Sequence, residues 1–321
     1  MLAVQIQRTG GPQVLEIVDL PQPLPGPGEI LIRQEAVGLN FIDTYHRGGL
    51  YPTALPAVLG TEGAGVIDAV GEGVSRFSPG DRVGYAGATG AYAQLRTLPA
   101  DRAVKLPDDI STRLAAASML KGMTAEFLLR RCYAVKPGDA ILVHAAAGGV
   151  GMILSQWGAA LGARVIGTVG SQEKAQVAKA HGCDEVILYR QEDVAERVKA
   201  LTGGEGVRVA YDGVGADTFE ASLASLGRRG LLITYGNASG PVPPVAPLRL
   251  TRGSLYLTRP TLFDYIATTQ ELDESAAALF HVLANGSVKI EIGQEFPLAE
   301  ARRAHEALES RATVGSTLLI P

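Results

Sequence analysis

Apolar and polar positions change rhythm twice along this chain. Up to about residue 110 the sequence is rich in β-branched residues and turn punctuation. EILIRQEAVGL (29–39) reads as a strand, GAGVIDAVGEGV (63–74) alternates small and apolar residues, and LPGPGE and FSPGDRV supply Pro-Gly turns. This stretch predicts a mostly antiparallel β domain. Near Ser111 the rhythm turns helical: LAAASML (114–120) and TAEFLLRRC (124–132) predict two helices, because neither run contains Gly or Pro. After a KPGD turn (136–139), strands and helices alternate from Ala140 to Gly236. AILVH, RVIGTV, EVILY, VRVAYD and GLLITYG read as strands. Val150, Leu154, Trp157 and Leu161 recur at helical spacing, with Gly162 as the stop signal. Ser171 caps the next helix, which ends near Gly182, and Val194, Val198 and Leu201 mark one that ends at Gly203-Gly204.

This alternation predicts βαβ units, hence a parallel sheet with helices on both faces. Beyond Pro260 the pattern predicts helices near 272–284 and 298–309, with short strands at 288–292 and 316–320. GPVPPVAP (240–247) reads as a rigid loop. A chain of 321 residues exceeds what one core usually supports, so two domains are expected. Hydrophobic residues make up 46% and charged residues 19%, as in folded globular proteins. The net charge of −4 and the lack of a basic stripe argue against nucleic acid as a partner. Two cysteines suit a reducing compartment, the N-terminus has no signal-peptide pattern, and no apolar run is long enough for a bilayer. The protein is therefore expected in the cytoplasm, away from membranes, acting on a small molecule.

The turn after AILVH reads Ala146-Ala147-Gly148-Gly149-Val150-Gly151, one departure from G-x-G-x-x-G. Following a strand and opening an amphipathic helix, it fits a dinucleotide site. Gly148 lets the backbone approach a pyrophosphate, Gly151 lets helix and strand pack closely, and the helix N-terminus presents N–H groups to the phosphates. Ala146 suits the first position if φ stays negative there. The bland alternative is a tight turn that needs small residues. Which dinucleotide binds depends on the end of the second strand, where NAD enzymes usually place an acid. Here Gly170 and Ser171 hold that place, and Lys174 follows one turn later. A hydroxyl and an ammonium suit a 2′-phosphate, with Tyr189 a further candidate for that phosphate or the adenine. The reading is NADPH. The alternatives are Ser171 as a helix cap, Lys174 as a solvated residue, and Glu173 reaching the ribose.

NFIDTY (40–45), LGTEGAGVI (59–67), PGDRV (79–83), HAAAGGVG (144–151), GTVGSQEKAQ (167–176), YGNASG (235–240), GSLYLTRP (253–260) and SRATVGSTLLIP (310–321) occur in that order. Together they resemble the NADPH-dependent quinone oxidoreductases, the zeta-crystallin-like zinc-free branch of the medium-chain dehydrogenase/reductase superfamily. The resemblance runs end to end and implies an α/β protein in which a Rossmann doubly wound parallel sheet is inserted in a GroES-like β-rich domain. The implied divisions are 1–122 for the first GroES-like part, 123–259 for the Rossmann domain and 260–321 for the return. It further implies a homodimer whose Rossmann edge strands pair through GSLYLT. It assigns Tyr45 and its neighbours to the nicotinamide and quinone end, with Thr124, Asn237 and Ser239 near the nicotinamide. Gly148, Gly149 and Val150 fall to the pyrophosphate, Gly170, Ser171, Lys174 and Tyr189 to the 2′-phosphate, and Arg311 to the phosphates. Phe127 stands where a family Tyr is expected.

Zinc members of the superfamily carry G-H-E where this chain has Gly60-Thr61-Glu62, and Cys where it has Asn40. The five histidines lack ligand spacing, and no metal site is expected. A quinone suits a metal-free site, because it spreads incoming charge over a conjugated system; the enzyme need only hold it and offer hydrogen bonds. The candidates for those bonds are Tyr45, Asn40 and Asp43, with Tyr51 and Arg259 further out. Asn40 and Asp43 read equally well as a helix cap with its N3 acid. His144 reads as structural. The nearest other activity is an NADPH-dependent alkenal or enoyl reductase; a non-catalytic crystallin-like or RNA-binding role is the reading from another class.

Overall fold

The computed structural model describes residues 1–310 and 313–321. Its contacts divide into two units. The first comprises Met1–Met123, Ile266–Ala284 and Ile290–Pro321; the second comprises Thr124–Tyr265 and Asn285–Lys289.

In the first unit the long strand Glu29–Leu39 is the hub of a seven-stranded sheet. It pairs antiparallel with Glu62–Val70, with Leu95–Pro99 and with Ser316–Ile320, and the last of these pairs in parallel with Ile292–Pro297. Arg82–Ala86 and Val104–Lys105 extend the sheet beyond Glu62–Val70. Both chain ends thus build one GroES-like sheet. A three-stranded sheet of Leu2–Ile6, Glu16–Asp19 and Ala57–Val58 completes the β layers. Ile6, Ile30, Ile32, Leu59, Ile67 and Leu319 are among the apolar side chains that fill the core, each no more than 1% exposed.

The second unit is a Rossmann-type six-stranded parallel sheet. Its spatial order is Glu185–Leu188, Arg164–Val169, Ala140–Val143, Val207–Asp212, Leu226–Thr234, Tyr256–Thr258. Numbered along the chain this is 3-2-1-4-5-6, the doubly wound order. Arg164–Val169 is buried at five of six positions, which is why such strands read as continuous apolar runs and not as alternations. The helices Gly149–Ala160, Gln172–Ala180, Val194–Leu201 and Phe219–Ser225 link the strands, and Gly162 has φ +85 just past the first of them, as the stop signal predicts.

Two elements differ from expectation. The two helices predicted around residue 122 are one helix, Thr112–Phe127, closed by a π-type turn over Leu128–Cys132. Gly122 does not break it: a Cβ there would lie 2.3 Å from Leu279 Cδ1, so this glycine serves close packing against the helix Thr269–Ala284. The strand predicted at 288–292 is Ile292–Pro297. Alternation extends through this whole stretch, and the partner strand Ser316–Ile320 selects which part of it forms a ladder.

Candidate active site

In the second unit the strand Ala140–Val143 runs into the glycine turn. Positive φ falls at Ala145 (52°), one residue before the motif, so Ala146 avoids the left-handed region. Gly148 caps the helix Gly149–Ala160 with extended backbone (φ −86°), leaving the first helical N–H groups to point out of the turn. A Cβ on Gly151 would sit 2.2 Å from the Ala145 carbonyl oxygen, whereas one on Gly148 would meet only that oxygen, at 3.1 Å. Gly151 is therefore required by helix–strand packing, and Gly148 keeps a space open beside the turn. Val150 follows in the first turn of the helix.

At the end of the second strand Gly170 lies against Tyr189 and Arg190. A Cβ on it would be 2.8 Å from the Tyr189 hydroxyl and 3.4 Å from Arg190 Nε. Ser171 is the cap of Gln172–Ala180, accepting from the Lys174 N–H at 3.4 Å. The half-buried Lys174 ammonium is pushed below its ordinary range, first by desolvation and then by the Arg190 charge. Two cations therefore converge here. Glu173 is fully exposed, and its bond with the Ser171 hydroxyl lowers its carboxyl. Arg190 escaped the sequence reading; the signal was its place right after Tyr189, at the tip of a parallel strand.

Below the turn lies a buried polar cluster. His144 meets Thr168 Oγ1 through Nδ1 (2.9 Å) and Ser222 Oγ through Nε2 (2.9 Å). Ser222 donates to Asp212 at 2.6 Å, and the Val214 and Gly215 N–H groups donate to the same carboxylate at 2.9 and 3.0 Å. Burial holds His144 below its ordinary pKa, as suits a neutral, structural imidazole. The cluster pins three strand ends and the helix Phe219–Ser225. Asn237, oriented to satisfy both its polar atoms, accepts from Arg259 Nη2 and donates to the Gly236 carbonyl, each at 3.0 Å. Ser239 donates to the Val214 carbonyl (2.9 Å) and accepts from the Asp217 N–H (3.0 Å), so its hydroxyl orders the neighbouring loop. Thr124 is half-buried at the start of this unit. Phe127 is buried and stacked on Tyr265 at 4.4 Å. Arg311 lies outside the described residues.

In the first unit NFIDTY opens the helix Phe41–Gly48, with Asn40 as its cap. The Asp43 carboxylate turns back to accept from the Asn40 N–H at 2.9 Å, so the capping reading holds for Asp43. It also accepts from Thr61 Oγ1 (3.0 Å) and from the Tyr92 hydroxyl (3.1 Å). The Asn40 amide donates to Glu62 Oε2 at 2.8 Å, where Lys121 Nζ also arrives at 3.0 Å, and Glu62 Oε1 accepts from the Leu120 N–H at 2.7 Å. Gly60, at φ +87, makes this crowding feasible: a Cβ would lie 2.2 Å from the Tyr92 ring. The cluster continues from the Tyr92 hydroxyl to His305 Nε2 (2.9 Å) and from His305 Nδ1 to Arg47 Nη1 (3.0 Å). Arg47 ends it in a bidentate pair with Glu309 at 3.0 and 2.6 Å. Tyr45 packs edge-on to Tyr51, ring centres 5.4 Å apart.

Burial dominates the protonation of this cluster. Desolvation raises Asp43 to about 7 against the three hydrogen bonds that favour its charged form. Desolvation and then the Arg47 charge lower His305 to about 3. The Tyr92 phenol is pushed well above its ordinary value, by burial and then by Asp43, so it keeps its proton.

The alcohol dehydrogenase GroES-like domain family matches residues 26–108, and the zinc-binding dehydrogenase family matches residues 149–281. The quinone oxidoreductase of Salmonella typhimurium is 54% identical over 323 aligned residues, 99% of each chain. The chain belongs to the quinone oxidoreductases of the medium-chain dehydrogenase/reductase superfamily. The crystal structure of Escherichia coli quinone oxidoreductase complexed with NADPH superposes with a TM-score of 0.98 at 51% identity, covering 100% of both chains. A 2-haloacrylate reductase of Burkholderia is 42% identical over 100% of this chain and 99% of its own.

One family description mentions zinc, and the residues of this quinone oxidoreductase do not suit that ion. Glu62 spends both oxygens on N–H donors, one of them the Lys121 ammonium, and Asn40 turns its amide nitrogen to the same carboxylate. A site filled by an ammonium and amide donors repels a divalent cation. Among the described residues no group of three or more His, Cys, Asp or Glu side chains is placed to hold a metal. Sequence reasoning gave no role to Lys121 or Tyr92 and weighed His305 only among the histidines that lack ligand spacing.

Proposed function

We propose that the protein transfers hydride from NADPH to a quinone, without metal. The observation that carries the cofactor half is the pairing of Lys174 with Arg190 at the end of the second strand, where Gly170 and Ser171 replace an acid. A 2′-phosphate relieves the repulsion of those two cations; a ribose hydroxyl does not. Gly148, Gly149 and Val150, with the helix N-terminus, take the pyrophosphate, and Tyr189 joins Ser171 at the adenosine end. Thr124, Asn237 and Ser239 serve the nicotinamide end, Asn237 through its link to Arg259.

When bound, the cofactor supplies the hydride. The quinone takes that hydride and one proton to become the hydroquinone. Asn40 and Asp43 commit their side chains to internal hydrogen bonds, so they act by setting the helix Phe41–Gly48, and Tyr45, a buried side chain of the same helix, serves the substrate end. The protein acts as a cytoplasmic homodimer. The strand Tyr256–Thr258 supports this: among the described residues it is paired on one side only, and Tyr256 is 55% exposed. No helix among the described residues is long and apolar enough to cross a membrane. The likeness to a 2-haloacrylate reductase favours an activated double bond as a second substrate class.

The test is the oxidation of NADPH by purified protein with 1,4-benzoquinone, run against 2-alkenals and 2-haloacrylate. Turnover of quinone with NADPH well above NADH is expected. Turnover confined to the alkenes transfers the assignment to double-bond reduction.

A further inference from the structure

His305 belongs to the helix Ala301–Glu309, far along the chain from the helix Phe41–Gly48, yet it is fully buried and wired to it. The direction of every hydrogen bond in this wire follows from one fact. Arg47 can only donate, so His305 Nδ1 must accept, and the single proton of the neutral ring resides on Nε2. Nε2–H then donates to the Tyr92 oxygen, which frees the Tyr92 O–H to donate to Asp43. Asp43 and Arg47 are four residues apart on one helix. The bonds Arg47→His305→Tyr92→Asp43 therefore leave the helix and return to it one turn earlier, closing a loop. At about 100° per residue, Asp43 and Arg47 share a face and Tyr45 lies about 160° from both.

We propose that Tyr92 and His305 are positioning residues: with Arg47 they form a one-way hydrogen-bonded clamp on the Asp43/Arg47 face, and the clamp sets the register in which the opposite face presents Tyr45. The groups facing the loop from its neighbours are Thr61 and the Asn40 N–H at Asp43, Glu309 at Arg47, and the Lys121–Glu62 pair one bond further, through Asn40. None of these can supply the Tyr92 proton. A shift of the reacting groups by about 1 Å costs roughly a hundredfold in rate, so loss of the clamp reads out in turnover.

The proposal rests on the quinone reductase reading, and its test separates the two. His305→Gln keeps one acceptor for Arg47 and one donor for Tyr92. His305→Glu accepts from both and turns the Tyr92 proton away from Asp43. Tyr92→Phe removes that proton. The expected result is kcat within about twofold of the parent for His305→Gln, and at least tenfold lower for the other two, with the NADPH Kd unchanged throughout. In addition, 15N spectra of histidine-labelled parent protein, with the His305 signal identified by its loss in His305→Gln, should show Nε2 protonated and Nδ1 bare from about pH 5 to about pH 8. Equal losses for His305→Gln and His305→Glu, parental kcat in Tyr92→Phe, or a proton on Nδ1 overturns the clamp. A parent protein inactive towards quinones refutes the functional reading instead, and the tautomer still decides the clamp.

Discussion

Asp43 and His305 lie two bonds apart and are displaced in opposite directions, which makes a quantitative prediction about stability and pH. Asp43 is raised from 3.8 to about 7, so between those values the folded protein holds a proton that the unfolded chain has lost. Its contribution is fully present below about pH 4 and is lost as pH rises through about 7. His305 is lowered from 6.5 to about 3, so its contribution is present above about pH 6.5 and is lost as pH falls towards 3. Each changes stability by about 1.4 kcal/mol per pH unit, with opposite sign, from about pH 4 to about pH 6.5. In the parent protein the two slopes cancel over that window. Asp43→Asn should unmask the histidine, so that stability rises by about 3 kcal/mol from pH 4.5 to pH 6.5; His305→Gln should unmask the aspartate and give a fall of similar size. Trp157, the sole tryptophan, reports on the second unit, so its fluorescence is the wrong probe. Native-state hydrogen exchange in peptides from Glu29–Leu39, corrected for intrinsic rates, reads the first unit directly. Parallel pH dependences in the parent and both variants would refute the reasoning.

Three further outcomes follow. Lys174→Ala and Arg190→Ala should each weaken NADPH about tenfold or more in fluorescence titrations while leaving NADH nearly unchanged, since a charge-assisted hydrogen bond contributes roughly 1.5–3 kcal/mol; equal losses for both cofactors would remove the 2′-phosphate assignment. Lys121→Met strands the fully buried Glu62 carboxylate and should cost about 3 kcal/mol in urea unfolding, the lower end for a broken buried pair because two other donors remain, and adding Glu62→Gln should recover most of it. Gly148→Ala should lower the melting temperature only slightly but bind NADPH poorly, whereas Gly151→Ala should lower both strongly; tight NADPH binding by Gly148→Ala would show that the space beside the turn is not the phosphate site.

Much of the second unit was legible in the sequence because its central strands are buried on both faces. RVIGTV and VRVAYD match their strands residue for residue, and Ser171 caps the helix it was expected to cap. Elements were misjudged where a tertiary partner decides. Gly122 reads as a break until Leu279 is seen against it, and the strand near 292 is placed by Ser316–Ile320. The site divides in the same way. Local motifs revealed the glycine turn and the Asn40–Asp43 cap. The pairs Arg47–His305 and Tyr92–His305 span 258 and 213 residues, so no local pattern could announce them, and His305 looks like any other residue of an amphipathic helix. Arg190 reads as a surface charge until Gly170 is seen packed against it.

The strand Ser316–Ile320 lies between Glu29–Leu39 and Ile292–Pro297, and this has a consequence for how the protein is made. Translation proceeds in one direction. The six-stranded sheet needs nothing beyond Thr258, so it can assemble on the ribosome while the rest of the chain is still being added. The seven-stranded sheet begins with residues made before the six-stranded sheet and is closed by residues made after it. Its early strands must wait, with an open edge that invites chaperones or misassembly. A ribosome halted at residue 300 would hold a chain whose six-stranded sheet has all its strands, while Val37–Leu39, leading to Asn40, still lacks its partner on one side and Tyr92 still lacks its histidine.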